Sequence, residues 1–191
     1  MWLKVIILVA LTIKSFNLID REVKSIDFLK IEEPITETDQ SKLKVKKVKT
    51  IISDEDLKKV LDEAHMEIFN EPASESRINM AWAQISFENG RGKQVYNYNL
   101  GNVGTNPIKP KRPYYVVAGY KFRSFKSFKD GARCYWITLK ERCSGSLKFF
   151  DAADPFTASL SLQRCGYYRA DFDHYSKNLS SLFWTMHKKS I

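Results

Sequence analysis

The stretch Ala-Trp-Ala-Gln-Ile-Ser-Phe-Glu-Asn-Gly-Arg-Gly, residues 81–92, decides the fold of this chain. Ile78, Trp82 and Ile85 recur at helical spacing, and Glu88 continues the same track, so this acid is predicted to face the domain body or a cleft in it. Gly90 and Gly92 follow and are predicted to end the helix. The C-terminus of a helix carries partial negative charge, which disfavours a carboxylate there. A carboxyl group there keeps its proton more readily, as a general acid must. The alternative is an ordinary helix with Glu88 solvated in its last turn.

The rest of the chain is predicted to be mainly helical, with one small β-lobe. A cap at Ser53 opens a helix that Pro72 ends, and a second helix runs from about residue 74 to 89. Glycines and prolines punctuate residues 94–125, and the alternation over 114–125 is typical of a short strand or hairpin. Three later helices are predicted. The first begins at the cap at Ser127, the second begins at Asp154-Pro155 and ends at Gly166, and the third has an apolar face within residues 173–187.

The chain is strongly basic. It has 191 residues, a formal net charge of +9 and a pI near 9.4. Residues 89–148 hold 13 Lys and Arg against only Asp130 and Glu141, so the basic charge surrounds the segment after Glu88. This pattern favours a polyanionic partner such as nucleic acid, an anionic membrane or an acidic cell-wall polymer. The apolar and aromatic content is enough for a packed core and excludes wholesale disorder.

Cysteine and histidine usage predicts neither a disulfide framework nor a metal site. Cys134 and Cys143 are expected on one helix, nine residues apart and too far to bridge. A Cys143–Cys165 bridge fits the spacing, but free buried thiols are the preferred expectation. The histidines are scattered and no Cys-x-x-Cys occurs, so no metal and no cofactor are predicted.

Three regions are predicted along the chain. Residues 1–19 form an apolar N-terminal segment, 20–50 a charged linker or arm that could add an edge strand, and 51–191 the catalytic domain. The apolar run of residues 5–13 has the length of a signal-peptide core and falls far short of the roughly 20 residues that span a bilayer. No small-residue cleavage site follows it, so an export signal and an uncleaved docking segment both stay open.

Four motifs, in order, resemble the lysozyme-like superfamily, and most closely the glucosaminidase/muramidase group of flagellar and phage-tail peptidoglycan hydrolases. They are residues 81–92, Tyr-Asn-Leu-Gly-Asn at 98–102, the strand-into-helix junction at 122–131, and the glycine-tyrosine motif at 162–171 followed by Tyr175. The resemblance covers Ser53 to the C-terminus. It implies a lysozyme-like α+β domain with a small β-lobe, and peptidoglycan glycan strands as substrate.

By this resemblance Glu88 is the general acid for a β-1,4 bond between amino sugars. Asn99 and Tyr167 would line the site, with Tyr168 as the alternative tyrosine, and Gln84 could orient the carboxyl group from one turn away. The alternatives are structural: Asn99 as a turn cap, the tyrosines as core packing, and Gln84 on the helix surface. Burial against Trp82, Phe87 or a nearby tyrosine is expected to raise the pKa of Glu88.

One departure from the family pattern concerns the second carboxylate. A two-carboxylate glycosidase needs another acid roughly 5–10 Å from the first, yet no Asp or Glu occurs between Glu88 and Asp130. Either the substrate's own acetamido group or 6-hydroxyl acts as internal nucleophile, as in lytic transglycosylases, or Asp171 or Asp173 approaches the site. We favour the single-acid mechanism, which predicts anhydro-sugar products.

The expected setting is a phage virion, where the enzyme would breach the wall and residues 1–50 could dock on tail proteins; an exported bacterial glucosaminidase is the alternative. Two other function classes compete. Basic residues interleaved with aromatic ones fit a single-stranded nucleic-acid platform, but no nucleic-acid motif is present and the Glu88 helix stays unexplained. A non-catalytic structural relative is the third class, which an intact Glu88 disfavours.

Overall fold

The computed structural model describes residues 42–105 and 112–188. The predicted N-terminal apolar segment, most of the predicted arm and residues 106–111 lie outside this range. The described helices are α1 (Asp54–Phe69), α2 (Glu75–Asn89), α3 (Phe128–Arg142), α4 (Ser144–Asp151), α5 (Pro155–Arg164) and α6 (Phe172–His187). The strands are β1 (Lys49–Thr50), β2 (Val95–Tyr96), β3 (Tyr114–Val117) and β4 (Tyr120–Arg123). The predicted fold class, mainly α with a small β-lobe, is confirmed.

Side-chain caps open α1 and α2, and the cap at Ser53 is the one predicted from the sequence. The Ser53 hydroxyl accepts from the Asp56 amide at 3.0 Å, and the Ser74 hydroxyl opens α2 in the same way, each satisfying an N–H group that a helix start leaves free. Helix α1 ends at Asn70, whose φ of 57° places it in the left-handed region, two residues before the proline that was expected to end it. Helix α2 ends at Gly90 with a φ of 60°, directly after the segment that carries Glu88.

The β-lobe consists of two short antiparallel sheets, β1–β2 and β3–β4. The β3–β4 hairpin pairs Tyr114 with Arg123 and turns through Ala118 and Gly119, both with positive φ. Such a turn matches the right-handed twist of the two strands. The strand or hairpin predicted over 114–125 is therefore confirmed.

The chain before Ile51 is paired with the domain along residues 43–50. Lys49 pairs with Tyr96, and the Val45 amide donates to the Tyr114 carbonyl at 2.8 Å. Asn97 reinforces this edge: its side-chain oxygen accepts from the Val48 amide at 2.8 Å. The expected edge strand is thus present, and the domain boundary near Ile51 stays a prediction.

The C-terminal half contains one helix that sequence analysis missed and one disulfide that it disfavoured. Helix α4 begins after Cys143 without a side-chain cap, so it lacks the usual start signal. Cys143 and Cys165 form a disulfide with a Cα–Cα distance of 5.4 Å, and only Cys134 is a free, buried thiol. The expectation of free thiols was wrong for this pair because Cys143 ends α3 and Cys165 ends α5, and the two helix ends meet.

The core lies between α2 and the helices that surround it. Helix α2 is buried on most of its surface and packs against α1, α4 and α6, while α1 also packs on α3. The largest fully buried side chains include Trp82, Trp136 and Tyr135. Along the described ranges no helix combines the length and apolarity needed to cross a bilayer. The last turn of α2 emerges from this core and carries Glu88 to its edge.

Candidate active site

Glu88 lies in the last turn of α2, half-buried at the wall of a groove. The groove has a volume of about 380 Å³ and is bounded by the end of α2, the turn at 101–102, strand β4, the segment after α5 and the start of α6. Its lining residues are Phe87, Glu88, Gly101, Asn102, Phe122, Tyr167, Tyr168, Arg169, Ala170 and Tyr175. The carboxyl group therefore has both a packed environment and access to a ligand.

Desolvation raises the pKa of Glu88 above its ordinary value of 4.5, and interactions with the Asn102 amide and the Tyr175 hydroxyl offset part of that rise. The direction agrees with the expectation from the sequence. Phe87 and the groove tyrosines are the aromatic residues around the Glu88 carboxyl group. Trp82 is not one of them, because its indole faces α1 and donates to Asp54 at 3.1 Å. Glu88 thus holds its proton at a higher pH than a solvated glutamate.

The buried layer beneath Glu88 is made of hydroxyl and amide groups. Gln84, fully buried and not on the helix surface, accepts a hydrogen bond from the Tyr135 hydroxyl at 2.7 Å. The Tyr175 hydroxyl is also buried and, among the described residues, makes no hydrogen bond of ordinary geometry. Burial, with the nearby Glu88 charge, raises the pKa of Tyr135 and Tyr175 well above 10, so both stay neutral. Gln84 contacts this layer and does not line the groove.

Tyr167 and Tyr168, the two tyrosines that sequence analysis could not rank, take different places. The Tyr167 hydroxyl donates to the Gly101 carbonyl at 3.3 Å, so this side chain lies across the groove floor close to Glu88. Tyr168 is 8% exposed; its ring stacks on Tyr175 with centroids 3.5 Å apart, and its hydroxyl donates to Ser159. Tyr167 is the better placed to touch a ligand, and Tyr168 mainly supports Tyr175.

Asn99 does not line the groove, which corrects the expectation for this residue. Its side chain has no exposed surface. The amide nitrogen donates to the Val103 and Arg123 carbonyls, each at 3.0 Å, and the amide oxygen accepts from the Val103 amide at 2.8 Å. Asn99 therefore caps the turn that presents Gly101 and Asn102, which was the structural alternative for it.

Three solved structures share this architecture. The glycoside hydrolase domain of FlgJ from Salmonella typhimurium matches with a TM-score of 0.51 and 18% identity, over 73% of this chain and 91% of that one. A peptidoglycan hydrolase from Sphingomonas sp. A1 matches with a TM-score of 0.50 and 17% identity, over 69% and 87% of the two chains. A mutant of a peptidoglycan hydrolase from the same organism matches at 16% identity, again with a TM-score of 0.50, over 69% of this chain and 90% of that one.

The chain has the fold of these peptidoglycan hydrolases. No family model matches it, and no curated protein matches it by sequence. At such low identity the likeness establishes the fold alone.

Glu88 is the one acidic side chain among the described residues that line the groove. Asp171 is the N-cap of α6, where it accepts from the His174 amide at 2.8 Å, and it does not line the groove although the two residues before it do. Asp173 is exposed in the first turn of α6 and does not line the groove either. Across the described residues, no group of three or more His, Cys, Asp or Glu is arranged to hold a metal ion.

Several groove residues were not predicted from the sequence, and three of them, Asn102, Phe122 and Arg169, have polar or aromatic side chains that a ligand can contact. The Asn102 amide donates to the backbone carbonyl of Glu88 at 2.8 Å and so ties the turn to the end of α2. All three lie inside the motifs that carried the resemblance, at 98–102, 122–131 and 162–171. Their position inside these motifs was the one sequence signal that they belong to the site. The spacing of residues within a motif does not show which side chains face the groove.

Proposed function

We propose that the chain is a peptidoglycan-degrading glycosidase that cleaves β-1,4 bonds between amino sugars, with Glu88 as its single general acid and base. The observation that carries the proposal is the position of Glu88. It is a desolvated carboxyl group on the wall of a groove whose other described lining residues include no acid. The structural neighbours named as a glycoside hydrolase domain and peptidoglycan hydrolases support the same class of substrate.

The bond cleavage needs one proton donor at the glycosidic oxygen. Protonated Glu88 donates to that oxygen as the C1–O bond breaks, and positive charge develops on the sugar ring. The sugar's own 6-hydroxyl then attacks C1, and the Glu88 carboxylate takes the hydroxyl proton. The products are a 1,6-anhydro sugar and a new free 4-hydroxyl end, and Glu88 returns to its protonated state. The second N–H of the Asn102 amide can donate a hydrogen bond to the substrate. The neutral Tyr167 hydroxyl, whose proton goes to the Gly101 carbonyl, can accept one from a substrate hydroxyl.

Replacing Glu88 with Gln tests the acid. Glu88→Gln keeps the size of the side chain and removes the proton donor, so clearing of purified cell walls should fall to the background rate, with an unchanged circular dichroism spectrum and retained wall binding. Glu63→Gln, an exposed acid of α1, is the matched control and should keep wild-type turnover. Full turnover by the Glu88→Gln protein would refute the assignment.

The product distinguishes a single-acid mechanism from a two-carboxylate one. Mass spectrometry of the digested wall should show anhydro ends, each lighter by one water than a hydrolysed reducing end. Asp171→Asn and Asp173→Asn should leave the rate and the products as in wild type, because neither side chain lines the groove. Fully hydrated ends would show that water, activated by another group, attacks the sugar.

The biological setting that we propose is a phage virion, with residues 1–50 as the docking region and wall penetration as the role. The resemblance of the tyrosine motif to phage versions supports this setting. Detection of the protein in purified particles, together with a lytic band in a gel containing cell walls, is the expected result. Its recovery only from an exported bacterial fraction would favour the bacterial glucosaminidase alternative.

A further inference from the structure

A second cavity adjoins the groove and is not used by the proposed bond cleavage. Its volume is about 440 Å³, and it shares Gly101, Asn102 and Tyr167 with the groove. Its other walls are the turn at 103–105, strand β4 with Arg123, and the last two turns of α3 with Ile137, Thr138, Glu141 and Arg142. A ligand in the groove could extend a branch past Tyr167 into this cavity.

The second cavity brings two guanidinium groups and one carboxylate together. Arg142 and Glu141 are exposed neighbours at the end of α3, and Arg123 is half-buried. Arg123 donates to the Cys134 sulfur at 3.2 Å, and Arg142 makes a long hydrogen bond of 3.4 Å to the Gly166 carbonyl. Among the ion pairs of the described residues, none involves these three side chains. Their charges are therefore available to a bound molecule.

We propose that this cavity is a side subsite for the peptide stem of peptidoglycan, holding a stem carboxylate at Arg142 and Arg123 and a stem ammonium at Glu141. This inference rests on the proposed function. The stem is attached to one of the two alternating sugars and projects sideways from the glycan strand, as a cavity beside the groove requires. A diamino acid in the stem carries both a carboxylate and an ammonium, and guanidinium groups pair with carboxylates in a fixed forked geometry.

The apolar surfaces of the cavity fit the same ligand. Ile137 and Thr138 line the cavity one helical turn before Glu141 and Arg142 on α3, where their apolar atoms can contact the alkyl chain of a diamino acid. The Thr138 hydroxyl is already used, since it donates to the Cys134 carbonyl at 2.8 Å. The specific part of the recognition thus falls to the three charged groups.

The test compares two substrates: glycan strands that carry peptide stems, and the same strands after an amidase has removed the stems. The readout is the ratio of kcat/KM for the stem-bearing strands to kcat/KM for the stripped strands. Arg142→Gln and Glu141→Gln should each lower this ratio about tenfold, mainly through KM, as expected for loss of one charge-assisted contact of about 1.5 kcal/mol. Lys140→Gln removes a nearby charge of α3 that contacts α1 and not the cavity, and it should keep the wild-type ratio.

The outcomes separate this inference from the proposed function. A wild-type ratio in both cavity variants would overturn the side subsite and leave the glycosidase intact. Loss of kcat on both substrates in Glu141→Gln would also overturn it, because Glu141 would then be a second catalytic carboxylate. If the wild-type protein cleaves neither substrate, the proposed function fails and the inference fails with it. Arg142→Lys, which keeps the charge without the fork, should recover part of the ratio.

Discussion

At the scale of single residues, the protonation of Glu88 links activity to stability. Because burial raises its pKa in the folded protein above 4.5, folding favours the protonated form. Its stabilising contribution is fully present below pH 4.5 and is lost as pH rises through the folded pKa. Once ionised, the Glu88 side chain therefore destabilises the folded protein, as expected for a residue placed for a proposed function and not for stability.

The pH dependence of Glu88 gives two measurable consequences. In the proposed mechanism only protonated Glu88 starts the reaction, so cleavage should decline as pH rises through the folded pKa. Glu88→Gln should raise the melting temperature by a few degrees at pH 7, and the gain should shrink toward zero below pH 4.5, where wild-type Glu88 is already neutral. Thermal unfolding of both proteins from pH 4 to 8 checks this; a variant less stable than wild type at pH 7 would contradict it.

Gly101 lies on the groove floor, where there is little room for a side chain. A Cβ atom there would lie 3.0 Å from the Tyr167 hydroxyl and 3.1 Å from the Tyr135 ring. Gly101→Ala should displace Tyr167 and lower kcat/KM about tenfold, since small misplacements of site groups can cost up to ~100-fold in rate. Gly145→Ala is the control, because a Cβ at Gly145 meets nothing within 4 Å. Equal activity of the two variants would show that the floor tolerates the methyl group.

At the scale of elements, the disulfide joins the two chain segments that carry Arg142 and Tyr167. Cys143 directly follows Arg142, and Cys165 lies two residues before Tyr167. Replacing both cysteines with serine should cost about 3 kcal/mol, the value for closing a loop of roughly this length. Activity should also fall, because the wall formed by the glycine-tyrosine motif becomes less fixed.

Calorimetry and wall-clearing rates, with and without reductant, check the role of the disulfide. Reductant should weaken the wild-type protein and leave the double-serine variant unchanged. A wild-type protein that keeps its melting temperature and its rate after complete reduction, verified by thiol titration, would show that the bridge contributes little.

Elements with local signals were predictable, and those fixed by long-range contacts were not. The predicted caps at Ser53, Ser127 and Asp154 each mark a real helix start, because capping is a contact between residues three apart in the sequence. Helix α4 has no such cap. The buried place of Asn99 depends on its contact with Arg123, 24 residues away. Glu88 could be found from the sequence because helical spacing alone places it on the buried track.

At the scale of the whole molecule, the net charge of +9 should govern how the protein finds its substrate. Bacterial walls carry peptide carboxylates and often acidic polymers, so long-range attraction should speed and strengthen association. Exposed charges are screened over about 10 Å at 0.1 M salt and about 3 Å at 1 M. The Kd of the Glu88→Gln protein for intact walls should therefore rise steeply between these salt concentrations.

Cosedimentation with purified walls over that salt range measures the effect, and charge variants locate it. Lys93→Gln with Lys126→Gln removes two exposed charges within the basic segment and should flatten the salt dependence more than Lys59→Gln on α1. Salt also weakens the binding of nucleic acid, so salt dependence alone does not identify the partner. A gel shift with single-stranded DNA is therefore run at the same salt concentrations. Tighter binding to DNA than to walls at equal salt would favour the nucleic-acid alternative. Wall binding that does not change with salt would show that the basic residues do not contribute to association.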